Sequence, residues 1–372
     1  MLKMIKYNLK NRSLLIIIST IISLVIAFAS FDYRSFLEYH WIYQIEDTVI
    51  GPSDSPMGFI TTMACIFATI IPLLEFSFKM KKINIDQMYS LPIKREKLYL
   101  AKFISGFIEI LIPTCVIFIY CLLKVISTDH MYEMIYFLPY FGCLVFFTFI
   151  LYSTITFFFT RANTVIDGII NVLSIILLFE VVVWCVDEVF DYSISINNGS
   201  YFLYSPISIL TAFFNDKLSI KALTEIYAKY NVEYNQVLFN SKDYIPIILF
   251  IVVGIASFVL FIFLNKTDKA EDSMQVSNSW FSYRTIIPLY FALFSLIMIK
   301  GEALLISFIF LFVGAYIAYI VYRRTLKIKK WDILVIAIVF VASIIFVSIF
   351  DALTPKKVYE YAEILNSFKN LL

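Results

Sequence analysis

Four carboxylates stand inside otherwise apolar stretches of the chain: Glu75, Glu109, Asp167 and Glu180. An ionised group near the centre of a bilayer costs about 2.5–3.5 kcal/mol on insertion scales, so each one invites a role such as a proton relay or a cation site. Three of them also have a plainer reading. Glu75 is one helical turn from Lys79, Glu109 two turns from Lys102, and Asp167 six residues beyond Arg161. Local ion pairs and snorkelling near the ends of spans suffice for all three. Glu180 lies deeper with no obvious local partner, and reads equally as a pathway residue or as half of a helix–helix hydrogen bond.

Other reactive constellations are missing from the sequence. None of the nine glycines is followed by Lys, so there is no Walker A loop to cradle phosphates. Neither a G-x-S-x-G elbow nor an H-E-x-x-H pair occurs. Cys65, Cys115, Cys121, Cys143 and Cys185 all fall within apolar stretches and read as small buried hydrophobes. His40 and His130 fall outside those stretches, so no metal site and no catalytic residue is expected.

The elements that must position the four acids are membrane helices. Of 372 residues 61% are hydrophobic and only 16% charged, and mean hydropathy is +0.85. Repeated charge-free runs near twenty residues long are the mark of transmembrane helices, so the fold class is an all-α polytopic bundle. Nine spans are expected: Ser13–Phe31, Met57–Phe78, Phe103–Leu123, about Met134–Thr160, about Thr164–Val186, Tyr244–Leu264, about Thr285–Ile299, about Ala303–Tyr322 and Ile333–Phe350. Lys3, Lys6, Lys10 and Arg12 with Leu2, Ile5 and Leu9 predict a short amphipathic helix before the first span, lying on the membrane face. Ser205–Phe214 is too apolar for a free loop and too short to cross, which suits a re-entrant or interfacial helix. A turn is expected at Asn197–Gly199, and after Thr354-Pro355 an amphipathic tail closes the chain. The domains read as a six-helix unit over 1–264, a link over 265–284, further spans over 285–350 and the tail over 351–372.

Charge sets the orientation. With the N-terminus inside, 20 of the 30 Lys and Arg fall in cytoplasmic segments, while 18 of the 28 Asp and Glu fall outside. Nine spans then leave the C-terminus outside. The aromatic load of 38 Phe, 25 Tyr and 4 Trp reads as lipid-facing and interface-belt chemistry.

The densest basic segment is Lys79–Lys102, with seven Lys or Arg between the second and third spans. Pro92 biases Leu91 toward an extended conformation and suits the first turn of a helix that could run straight into the third span. Met88, Tyr89 and Leu91 stand there among Lys94, Arg95 and their basic neighbours, the shape of a docking element. At this turn the sequence resembles the ABC-2 type permeases, the membrane subunits of bacterial ATP-driven exporters. Tyr89-Ser90-Leu91-Pro92-Ile93, then Arg95, Ala101 and Lys102, carry the resemblance. The basic N-terminal helix, Ser205–Phe214, and Lys269, Ala270 and Glu271 after the sixth span are similar to the family as well. The last three spans look like an extension of its six-span unit. The resemblance implies a bacterial plasma-membrane exporter subunit whose segment Met88–Arg95 docks on a separate ATPase chain. It implies that ATP and Mg are bound by that partner, with no cofactor in this chain. A second permease, either an identical copy or a sibling, is implied too, and no nucleic acid. A secondary transporter using Glu180 and Asp167, or a membrane enzyme of lipid or glycan metabolism, remains as the alternative reading.

Overall fold

The computed structural model describes residues 1–30, 37–42, 47–52, 55–127, 133–190, 204–229, 244–266, 271, 273–277, 279–301, 305–327 and 329–353. The Asn197–Gly199 turn, Lys269 and Ala270, and the tail from Thr354 onward lie outside the described residues.

Long apolar runs need intrahelical partners for every backbone group in lipid, and they form helices here. Twelve are described: α1 Leu2–Asn11, α2 Ser13–Ser30, α3 Ser55–Phe76, α4 Lys82–Tyr89, α5 Arg95–Ile126, α6 Phe137–Thr160, α7 Val165–Phe190, α8 Ser205–Lys229, α9 Tyr244–Leu264, α10 Tyr283–Lys300, α11 Leu305–Arg323 and α12 Lys330–Leu353. Among the described residues eight helices are long and apolar enough to cross a membrane, and a ninth follows if the bent pair α1–α2 is one span. The chain is a multi-pass membrane protein.

One departure from an all-helical chain is a short antiparallel hairpin between α2 and α3, β1 (Leu37–Ile42) and β2 (Asp47–Pro52). Tyr39 pairs with Ile50 and Trp41 with Thr48. Aromatic and β-branched residues favour strands, and this polar stretch was long enough to hold two of them.

The chain divides into two compact units. The first comprises Met1–Glu180 and Ile194–Ser282, the second Val181–Ser193 and Tyr283–Leu372. In the first, α6 packs along both α3 and α9, and α5 lies against α1, α2 and α3. Its core is aromatic. Phe76 stacks on Tyr99 at 6.2 Å and meets Phe261 edge-on at 5.5 Å, and Phe103 lies 4.7 Å from Tyr152. The expectation of mainly lipid-facing aromatics is therefore overturned for Phe76, Phe103, Phe157, Phe159, Phe250 and Phe261, all fully buried. Glycine is too scarce to bring helices together throughout, so large rings interdigitate instead. Gly254 is an exception, because a Cβ there would land on Ile150 of α6.

In the second unit, α10 packs on α11 and α12. Phe291, Phe312 and Phe340 form its aromatic centre. At one end Arg323 grips Asp332 with both terminal nitrogens beneath the rings of Tyr283 and Tyr319. At the other, Lys300 Nζ lies 2.7 Å from Asp351 Oδ1.

Candidate functional site

The Lys-rich segment after α3 is structured. A 3-10 turn over Ser77–Met80 ends α3, and Lys81 is extended before α4. Ile85, on one face of α4, is buried, whereas Ile83 is 74% exposed. Two isoleucines two residues apart on a helix point in different directions, so one had to face outward. After α4 the chain turns through Ser90–Lys94, with Ile93 N donating to Leu91 O at 2.7 Å. Pro92 sits in this turn, three residues before α5, and not in the first turn of the helix as the sequence suggested.

Met88 and Tyr89 are half-buried, while Leu91, Pro92, Lys94 and Arg95 are exposed. Tyr89 has a different task from its neighbours. Its hydroxyl lies 3.0 Å from Tyr99 Oη, and the Arg95 guanidinium sits 4.5 Å above its ring. Tyr99 in turn stacks on Phe76, so the surface segment is tied directly into the aromatic core. The outward apolar side chains are Ile83, Leu91 at 41% exposure and Ile93 at 38%. Sequence reasoning singled out Leu91 as a docking side chain, took Ile93 only as part of the family resemblance, and passed over Ile83. The uneven pairing of Ile83 with Ile85 was the available signal.

α5 has 32 residues, hence a length of roughly 48 Å against a hydrocarbon thickness of about 30 Å. The surplus leaves room for Arg95–Lys102 to stand clear of the apolar layer on the same rigid helix as the span.

One layer deeper lies a buried cluster of four charges. Arg12, at the bend between α1 and α2, places Nε 2.9 Å from Glu75 Oε1 and Nη1 3.8 Å from Glu109 Oε2. Lys102 Nζ lies 3.0 Å from Glu75 Oε2. Glu75 and Glu109 are wholly buried, Lys102 nearly so, and Arg12 is partly open. Arg12 Nη2 also donates to Leu74 O at 2.9 Å, and Asn8 Nδ2 to Ser105 Oγ at 3.4 Å. Two cations thus balance two carboxylates drawn from three elements. That corrects the local pairing expected for Glu75. Lys79 turns away and donates to Thr160 O of α6. Glu109 likewise faces Arg12 and Glu75, with Lys102 a further neighbour. The close approach that permits this is at Gly106, where a Cβ would collide with Tyr152 Oη and sit 3.1 Å from Glu75 Cγ.

Asp167 and Glu180 are not part of this cluster. Asp167 is buried at the start of α7, its backbone N–H donating to Thr164 Oγ1 at 3.2 Å. Arg161, expected as a marker of the span's end, is buried and donates to Asn265 Oδ1. The link after α9 closes over that corner, since Ser277 Oγ donates to Arg161 O at 2.6 Å and Met274 N to Asn163 O at 2.9 Å. Glu180 is half-buried on α7. It stands thirteen residues from Asp167, roughly 20 Å along the helix axis, so the two carboxylates do not form one site. Among the described residues no three His, Cys, Asp or Glu side chains converge on a point where a metal ion could bind.

No known family model, curated protein or solved structure matches the chain. The resemblance to ABC-2 permeases therefore rests on the residues of this chain alone.

Contacts run from Tyr89 through Tyr99 into the aromatic core, and from Lys102 of α5 through Glu75 of α3 to Arg12 at the α1–α2 bend.

Proposed function

We propose that the chain is the permease subunit of an ABC-2 type exporter, which forms the path through the bilayer and is driven by a separate ATPase chain. The observation that carries this reading is the exposed apolar side chains Ile83 on α4 and Leu91 and Ile93 in the turn after it, with Lys94 and Arg95 following where α5 begins and continues into a span. Exposed apolar side chains interspersed with charges are the composition of a protein-docking surface. Its ties through Tyr89 and Lys102 would convert docking into movement of the helices. ATP and Mg belong to the partner, and the basic segment faces the cytoplasm of a bacterial cell. A complete exporter then contains a second permease, identical or sibling, and two ATPase chains. The ion-driven alternative is weaker for the two residues it names, because Asp167 and Glu180 stand thirteen residues apart on α7, roughly 20 Å along the axis.

Co-purification tests the reading. Truncating an interface anchor costs more than about 1–2 kcal/mol, and a charge placed in a desolvated pocket costs more. Leu91→Glu should abolish recovery of the ATPase with the chain from native membranes, with expression unchanged because the side chain lies outside the spans. Lys81→Ala, on an exposed flank, should have little effect. Equal recovery with Leu91→Glu would leave the segment as a topology determinant only.

A further inference from the structure

The far half of the first unit contains a cleft whose chemistry the coupling segment does not explain. Tyr204 Oη lies 2.8 Å from Thr69 Oγ1, and Thr211 Oγ1 lies 2.8 Å from Thr61 Oγ1. Eight residues on α3, about 12 Å, thus match seven on α8, about 10 Å, so α8 runs antiparallel to α3. It starts at the depth of Thr69 and rises to the level of Glu133, whose N–H donates to Leu218 O at 2.7 Å. Between the two helices is an opening of about 430 Å³, within the usual range for small-molecule sites. Ile66 and Ile70 form its mouth and are 42% and 48% exposed.

Among the described residues the lining holds hydroxyls and no charged side chain. Those hydroxyl protons are already committed to the protein. Thr62 Oγ1 donates to Gly58 O, Thr69 Oγ1 to Cys65 O, and Ser208 Oγ to Tyr204 O. With its own proton on Cys65 O, Thr69 must accept from Tyr204 Oη. What remains toward the cleft is a row of oxygen lone pairs beside aliphatic walls. Thr69 stands midway along the apolar stretch Met57–Met80, where a charged head group carries an insertion cost of about 2.5–3.5 kcal/mol.

We infer that the α3–α8 cleft binds an uncharged, chain-like amphiphile through a hydrogen-bond donor, a hydroxyl or amide N–H, presented to Thr69, Tyr204 and Ser208. This names the substrate class of the proposed export path and rests on that reading. Binding can be measured without ATP or any partner, so the two stand or fall separately.

The test uses the purified chain in phosphatidylcholine nanodiscs with a diazirine-bearing hexadecanol as probe. Labelling should saturate and map to the peptides around Thr62–Ile70 and Tyr204–Ser208. Unlabelled hexadecanol should compete about fivefold or better over methyl hexadecanoate, which has no donor, since a single hydrogen bond is worth about that factor. Ser208→Trp, which fills the cleft, should remove most of the label while the protein stays monodisperse. Competition on the unaltered chain stands by itself if that variant misfolds. The inference is overturned by non-saturating label spread over exposed faces such as α12, or by equal competition from the ester. Undiminished label in a folded Ser208→Trp variant overturns it too. So does a chain-to-chain crosslink at Ile66 in place of probe labelling, which would mean that a second copy fills the cleft.

Discussion

Lys102→Met isolates the electrostatics of the buried cluster of Arg12, Glu75, Lys102 and Glu109. At the observed 3.0 Å separation from Glu75 and an effective dielectric near 20, Coulomb's law gives about 5 kcal/mol of attraction. Met keeps most of the apolar stem and no longer requires a buried ammonium, so part of that sum is returned. Deleting one partner of a buried pair costs about 3–5 kcal/mol. Because Arg12 still contacts Glu75 at 2.9 Å, the lower end, about 3 kcal/mol, is expected. The assay is reversible SDS unfolding in mixed micelles, followed by far-ultraviolet circular dichroism. Glu75→Gln introduced beside Lys102→Met should recover at least half of the loss, since the orphaned charge is then gone. Lys81→Met, at an exposed position, should stay within about 0.5 kcal/mol of the parent. A Lys102→Met protein within about 1 kcal/mol of the parent, or a double variant as weak as the single one, would refute the assignment of Lys102 as the buried counter-ion.

Gly254→Ala should lose about 1–3 kcal/mol through overpacking against Ile150, even though Ala favours helix. Gly314→Ala, with nothing within 4 Å of its Cβ, should be neutral or stabilising in the same titration. For topology, Asn84→Cys and Ser127→Cys, both at exposed positions at opposite ends of the α3–α5 region, are made in a background without the native cysteines. A membrane-impermeant maleimide should reach Ser127→Cys in intact cells and Asn84→Cys only in broken ones, and the reverse pattern would invert the whole topology.

The spans were legible because lipid imposes a single demand, a long apolar run that satisfies its own backbone, and that demand is written locally. α6, α9 and α12 could be placed from hydropathy within a few residues. What pattern could not supply was partnership between distant segments. Glu75 has Lys79 one turn away, a sound local pairing, yet the fold turns Lys79 toward α6 and brings Arg12 and Lys102 to Glu75 from two other elements. The same limit hid α8. Ser205–Phe214 announced a short apolar helix, but its continuation to Lys229 and its register against Thr61 and Thr69 depend on α3. The aromatic core was misread because composition counts rings without telling whether they meet lipid or one another. In the surface segment, Leu91 and Pro92 stood out through the turn they make, whereas Ile83 lies outside that turn, on α4.

In the proposed exporter, ATP hydrolysis by a partner drives the chain through Ile83, Leu91 and Ile93. The most direct test is ATP hydrolysis by the chain reconstituted in liposomes, with and without the ATPase subunit isolated from the same membranes. The chain alone should hydrolyse no ATP. Adding the subunit to the parent should give hydrolysis stimulated by the chain, and adding it to Leu91→Glu should leave only the subunit's own rate. Hydrolysis by the chain with every other polypeptide removed, or full stimulation by Leu91→Glu, would contradict the account.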